Sequence, residues 1–412
     1  MFSKLKNDLP AGLVVFLVAL PLCLGIALAS GAPFFSGIIS GIVGGIIIGA
    51  FSNSQLSVSG PAAGLSALVL GAITAIGNFE LFLCAVLIAG ILQILMGVFK
   101  LGAVAKYIPS SVIKGLLTSI GIIIIAKQLP VALGFKNLKE MFGDFQNYNP
   151  IVLTICLVSI AIILLWDKVK VKFIPGALIA VVIGVIINEI LKVSFSNNAL
   201  EAKHLVLVPI AATANEFLGF FTTPNFSGFT NSSIIVYGFV FSIIASVETL
   251  LSIEAIDNLD PEKRKTNTNR ELIAQGIGNS VAGLIGGLPV TSVIVRSSAN
   301  VNSGAKTKLS TIFHGVLLLV CVILIPALLN KIPLSALAAI LLLTGYKLAS
   351  PKLFKEMVAQ GFNTYLPFFV TIFFILAIDL FEVWKPISGK GLLIGVIVGI
   401  ITAYMIKGKK AV

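Results

Sequence analysis

The sequence predicts an all-α polytopic membrane protein of about 14 transmembrane segments, arranged as two inverted seven-helix repeats. Three observations carry this reading. Hydrophobic residues make up 57% of the 412 residues and charged residues only 11%, whereas a soluble domain carries roughly 25% charged residues; so few charges could not cover the surface of a water-soluble chain this long. Apolar runs follow one another along the chain, and a run of about 20 residues crosses the hydrocarbon core of a bilayer. Two of the runs, the third and the tenth, are short and open at a Gly/Pro break, at the same place in each half.

In chain order the apolar segments are 11–29, 35–51, 61–76, 79–99, 108–128, 150–166, 173–192, 233–256, 271–287, 290–300, 308–329, 333–347, 364–381 and 391–406. The first is long enough to span and no cleavage site precedes the second, so it reads as a helix and not a removable signal. The third opens at Gly60-Pro61-Ala62-Ala63-Gly64 and the tenth at Gly286-Gly287-Leu288-Pro289. An odd number of spans per repeat gives the halves opposite orientations. Short, interrupted helices at matching places in inverted halves point to a transporter binding site. The repeats cover about 8–192 and 233–406. Two connections are long, 129–149 and 193–232, and the second is rich in Asn, Ser, Thr and aromatic residues. A polar stretch, 383–390, separates the last two segments.

The net charge of +12 does not point to nucleic acid. The basic residues sit in short connections between apolar runs, which is a topology signal. With the N-terminus in the cytoplasm, 19 of the 29 Lys and Arg residues fall on the inner side and 8 on the outer, while Lys114 and Arg296 lie within spans. This bias places both termini in the cytoplasm and requires an even span count. Cys23, Cys84, Cys156 and Cys321 all lie inside apolar runs without metal spacing and read as small hydrophobes. No phosphate loop, His-Glu-x-x-His helix, nucleophile elbow or Cys pair occurs, so neither an enzyme nor an organic cofactor is expected.

The chemistry is expected in the few ionisable residues inside spans, each a functional candidate. Glu248 sits near the middle of the eighth segment, with Thr249 beside it and Ser252 one turn later on the same face. A carboxylate at that depth needs a wet cavity, a cation or a proton. With a hydroxyl nearby, the pair suits a hard cation such as Na⁺, and a proton is the alternative. Arg296 is the arginine in the apolar part of the second half, within about two turns of the tenth-segment start, and a fixed positive charge there can attract an anion. The starts of the third and tenth segments, at Pro61–Gly64 and Pro289–Ser292, are expected to present unpaired N–H groups and positive dipole ends. Placed tip to tip, they would hold a small anion between them, with proline at a first helical position and hydroxyls from Thr291 and Ser292.

Several motifs resemble the sulfate permease (SulP, solute-carrier-26) family of anion transporters. They begin with Asp8 to Leu13, continue through Pro21 and Ala29 to Pro33, and include Val58 to Ala63. The third group runs through Arg270-Glu271, Gln275 to Asn279, Gly286 to Thr291, Arg296-Ser297, Asn300 and Ser303 to Lys306. The resemblance covers nearly the whole chain. It implies a core domain moving against a gate domain and usually a homodimer. It implies an anion site drawing on Leu22, Cys23, Ala62, Ala63, Val290, Thr291 and Ser292, with Arg296 after the tenth helix, and a coupling-cation site at Glu248 with a hydroxyl at Ser252. The family's usual carboxy-terminal STAS domain is not expected in this chain. The segment Pro21 to Gly25 resembles the branch often linked to carbonic anhydrase, which implies bicarbonate over sulfate as substrate. The resulting expectation is a Na⁺-coupled bicarbonate transporter in the cell membrane, with sulfate transport or a passive anion channel as alternatives.

Overall fold

The computed structural model describes residues 4–102, 109–169, 174–194, 199–381 and 391–408. The polar stretch 383–390, and with it Lys385 and Lys390, lies outside the described residues, as do Lys106, Lys170, Lys172, Lys409 and Lys410. Fourteen principal helices occur among the described residues, and each corresponds to one of the expected segments. The first half holds α1 (Leu5–Ala29), α2 (Phe34–Phe51), α3 (Ala63–Ile76), α4 (Phe79–Val98), α5 (Ser110–Leu133), α6 (Pro150–Val169) and α7 (Gly176–Ser194). The second half holds α8 (Ser232–Leu259), α9 (Thr268–Ile285), α10 (Ile294–Asn302), α11 (Leu309–Leu324), α12 (Leu334–Leu348), α13 (Phe362–Asp379) and α14 (Gly391–Gly408).

Backbone polar groups cannot be left unpaired in hydrocarbon, which is why apolar runs of this length close their hydrogen bonds as helices. Eight helices are both long and apolar enough to cross a membrane, and α3 and α11 are apolar but shorter. The helix α9 is more polar because it carries Glu271, Gln275 and Asn279 at four-residue spacing. All three are buried against other helices instead of facing lipid. The helix α2 contains a π-helical turn at Gly44–Ile48. There Gly45 packs on the backbone of Gly315 of α11, and Gly44 packs on the backbone of Ser59 and Gly60. Small residues permit this closeness.

The helices sort into two packed bodies. Helices α1, α2, α4, α8, α9, α10 and α11 pack mainly on one another, and α5, α6, α7, α12, α13 and α14 form the second group. These two bodies match the core and gate that the resemblance implies, and α3 lies between them, against α5 and α8.

The N-terminus marks one face. There Asp8 accepts hydrogen bonds from the N–H groups of Lys306 (2.7 Å) and Thr307 (3.0 Å). Lys4 bridges to Glu262 (3.0 Å), just beyond the end of α8. On the opposite face, residues 199–231 form a strap. Its first part holds to the gate side: Leu200 N–H donates to Asn188 Oδ1 of α7, and Val206 N–H to the Ile332 carbonyl just before α12. Val208 exchanges two hydrogen bonds with the Asn330 side chain. Its second part holds to the core. Phe217, Phe220 and Phe221 stand edge-on around Phe35 of α2, and Asn225 N–H donates to the Glu80 carbonyl of α4.

Candidate functional site

The Gly/Pro breaks before α3 and α10 are joined to each other. Ser59–Pro61 (β1) and Val290–Ser292 (β2) pair antiparallel, with Ser59 opposite Ser292, Gly60 opposite Thr291 and Pro61 opposite Val290. This changes the expected start of the tenth helix. Residues 290–292 are strand, the cap is Val293 and the helix begins at Ile294. Likewise Pro61 ends a strand, and α3 begins at Ala63 behind the extended cap Ala62, so neither proline occupies a first helical position. The physical reason is local. Proline fixes its own φ and keeps the preceding residue out of the helical region, the β-branched residues Val290, Thr291 and Val293 favour extended backbone, and pairing satisfies N–H and C=O groups that would otherwise be buried unpaired.

Buried polar side chains fix this strand pair. Asn279 clamps one residue of β2 from both sides: Val290 N–H donates to Asn279 Oδ1 (2.6 Å), and Asn279 Nδ2 donates to the Val290 carbonyl (2.9 Å). One turn earlier on α9, Gln275 Nε2 donates to Ser59 Oγ of β1 (2.7 Å) and to Glu271 Oε1 (3.0 Å). Ser292 N–H donates to Thr249 Oγ1 (3.2 Å), and the Ser57 and Ser292 hydroxyls are 2.5 Å apart. Thr291 Oγ1 donates to the Ser292 carbonyl (3.3 Å). The Thr291 and Ser292 hydroxyls are therefore engaged within the protein.

A cavity of about 150 Å³ lies beside this junction. A space of that size holds several waters or a small ligand. Its core side is formed by Ala63 and Gly64 of α3, by Glu248, Leu251 and Ser252 of α8, and by Ser292 to Val295. Its gate side is apolar, with Ile113, Leu116 and Ile120 of α5 and Leu348 of α12, and Thr344 is the polar exception there. These gate residues sit in the first half of α5 and at the end of α12, and Leu251 and Ser252 lie in the second half of α8. The cavity therefore occupies the half of the molecule nearer the terminal face.

Of the residues expected at the site, the fold brings Ala63, Glu248, Ser252 and Ser292 to this cavity. Leu22, Cys23, Ala62, Thr249, Val290, Thr291 and Arg296 lie outside its lining. Cys23 is buried against α2, with its sulfur facing Gly41. Thr249 is buried and holds β2. Arg296 is fully buried behind β1, where Nη2 lies 3.5 Å from the Pro61 carbonyl, Nε and Nη1 have no oxygen partner, and the Cys23 thiol lies beside the guanidinium. The Oε2 of Glu248 is also buried without a hydrogen-bond partner. Buried polar atoms without a partner are rare in native structures, and here atoms of two oppositely charged groups, Glu248 and Arg296, flank one junction. Sequence reasoning missed Gln275 and Asn279 as the residues that hold the strands, although both lie in a quoted motif. Their i, i+4 spacing in an apolar context was the available signal.

The model of the Sulfate permease family matches residues 5–371 of this chain. A Bacillus subtilis protein, YvdB, whose name assigns it provisionally to sulfate transport, is 28% identical over 393 residues, which span 91% of this chain and 71% of YvdB. The bicarbonate transporter BicA of Picosynechococcus is 27% identical over 360 residues, spanning 84% of this chain and 62% of BicA. This chain thus covers between three fifths and three quarters of each relative's length. Among solved structures, the transmembrane domain of a cyanobacterial BicA superimposes with a TM-score of 0.79 at 24% identity, covering 98% of both chains. The chain therefore belongs to the sulfate permease family of membrane anion transporters.

Proposed function

We propose that this chain is a secondary active transporter that carries bicarbonate in symport with Na⁺. The observation that carries the reading is Glu248, a carboxylate on the cavity wall whose Oε2 is buried and unpartnered. A charge in that position is costly unless a cation offsets it. The donor set fits Na⁺, a hard cation that prefers oxygen. Glu248 and the Ser252 hydroxyl would hold it, and it would supply a neutralising positive charge beside the anion. The anion would sit at the start of α3, where the first N–H groups of the helix lack intrahelical partners, with Arg296 adding positive potential from behind β1.

Charge balance favours a monovalent anion. Without pairing, the formal charges of Arg296 and Glu248 sum to zero, and so do those of one Na⁺ and one bicarbonate, so the loaded site would carry no net charge. Sulfate would leave one uncompensated negative charge in a low-dielectric cavity. Sulfate is retained as the second reading because YvdB is named for it. The reading includes cytoplasmic termini, supported by the 19 to 8 bias of basic residues, and a homodimer, as the family resemblance implies.

The test is uptake of labelled bicarbonate and of labelled sulfate into proteoliposomes, with and without Na⁺ and pH gradients. An inward Na⁺ gradient is expected to drive bicarbonate accumulation, and sulfate at equal concentration is expected to inhibit weakly. Glu248→Gln keeps the shape and removes the charge, and is expected to abolish Na⁺ stimulation while the protein still inserts. Sulfate accumulation without Na⁺, or wild-type Na⁺ dependence in Glu248→Gln, overturns the reading.

A further inference from the structure

Two glycines bound the segment that carries the strand-to-helix turn, Gly60-Pro61-Ala62-Ala63-Gly64. Neither has the positive φ that calls for glycine. Gly64 lies in the first turn of α3, where alanine is the better helix former. Backbone conformation therefore explains neither residue, but the surroundings explain both. A Cβ on Gly64 would lie 2.5 Å from Oε1, 2.9 Å from Cδ and 3.0 Å from Oε2 of Glu248. A Cβ on Gly60 would overlap Arg296 Nη1 and lie 3.0 Å from Arg296 Cζ. The carboxylate rests on the bare backbone at one end of the segment and the guanidinium on the bare backbone at the other.

Opposite charges removed from water ordinarily pair. These two do not: among the described residues neither takes part in an ion pair, and Glu248 Oε2, Arg296 Nε and Arg296 Nη1 all lack partners. We propose that Gly60 and Gly64 are positioning residues that seat Arg296 and Glu248 at opposite ends of this junction, so that neither charge neutralises the other. The carboxylate stays free for the coupling cation and the guanidinium keeps its field for the anion. Gly64 thereby sets cation affinity, and Gly60 sets anion affinity. This inference rests on the Na⁺-coupled reading above.

The experiment uses the full chain in proteoliposomes and reads the Na⁺ concentration for half-maximal bicarbonate uptake, with thermal stability of the purified protein alongside. Gly64→Ala is expected to raise that concentration by about tenfold or more, with the cost to Tm of displacing the carboxylate offset in part by the better helix propensity of alanine. Glu248→Asp is one methylene shorter and makes room for the new methyl group. In a Glu248→Asp background the further effect of Gly64→Ala is expected to fall below about threefold, which is the non-additivity of groups in direct contact. A Gly64→Ala effect below twofold, or one of equal size in both backgrounds, overturns the proposal. If Gly64→Ala does not insert, the other end of the segment decides. Gly60→Ala is expected to raise the bicarbonate KM at saturating Na⁺, and the effect is expected to shrink in an Arg296→Lys background; equal effects in both overturn the proposal. Failure of the underlying reading looks different. There the wild type shows no Na⁺ dependence, or Glu248→Gln keeps it, and the Gly60 arm alone then judges the role of the glycines.

Discussion

At the residue scale, a charge in the wrong solvent was the strongest sequence signal. Glu248 and Arg296 stand out because apolar runs rarely hold ionisable groups, and the fold places them at the two ends of one short segment. The sequence could not show what surrounds them. Arg296 faces Pro61 across 235 positions of chain, and Cys23 and Thr249 lie behind the cavity wall because of helix rotations that periodicity does not resolve. Arg296 lies outside the cavity lining, so in the proposed site it would act on the anion through its field and not by contact. Arg296→Ala is expected to raise the anion KM about tenfold, ~1.4 kcal/mol, with smaller loss in Arg296→Lys, which keeps the charge. Unchanged KM in Arg296→Ala, measured at saturating Na⁺, assigns the arginine to packing alone.

At the element scale, most of the fourteen helices were legible because they are written as runs of apolar residues with breaks at Gly, Pro or polar stretches, α9 and α10 being the more polar exceptions. The strand pair was not legible. Three-residue strands carry no periodicity, and their partners are more than 200 positions apart. Gln275 and Asn279 of α9 hold both strands. Asn279→Ala leaves the N–H and carbonyl of Val290 without their clamp, at roughly 1–3 kcal/mol for each buried group left unsatisfied. A clear drop in Tm and weaker anion binding are expected, and an unchanged Tm means that water or another group replaces the clamp. The loop after α8 offers a pH-dependent test. Burial works to raise the Asp260 pKa, but hydrogen bonds from Arg264 and the Glu262 N–H outweigh it and hold the carboxyl below its usual range. A depressed carboxyl contributes stability above its unfolded pKa of about 4, and that contribution is lost as pH falls through the folded value. Arg264→Ala is therefore expected to lower Tm at neutral pH, with the difference from wild type fading below about pH 4. A Tm difference independent of pH attributes the effect to the Arg264 hydrogen bond to the Lys306 carbonyl.

At the scale of the whole molecule, the inverted repeat was legible from the matched breaks in the two halves, because an odd number of spans forces the orientation to alternate. The state of the transporter was not, since it depends on which face the cavity lies toward. Here it lies toward the terminal face, between α5, α8 and α12, and the strap 199–231 covers the opposite face. A Ser252→Cys variant is therefore expected to react with a membrane-impermeant thiol reagent added at the terminal face and not at the other. The four native cysteines are buried and are expected to contribute little background. Equal labelling from both faces would mean that the opposite face is open to water. The strap also has a mechanical consequence. It is held beside the start of α12 through Val206 and by Asn330 of the α11–α12 link at Val208, and its helix Ala214–Gly219 brings Phe217 against Phe35 of the core, with residues 209–213 between these holds. The six residue steps from Val208 to Ala214, fully extended, reach at most about 22 Å. In the proposed transport cycle that short tether would limit how far the two held parts can separate at this face unless one hold is released, and a deletion within 209–213 is expected to lower the transport rate before it affects substrate or Na⁺ affinity.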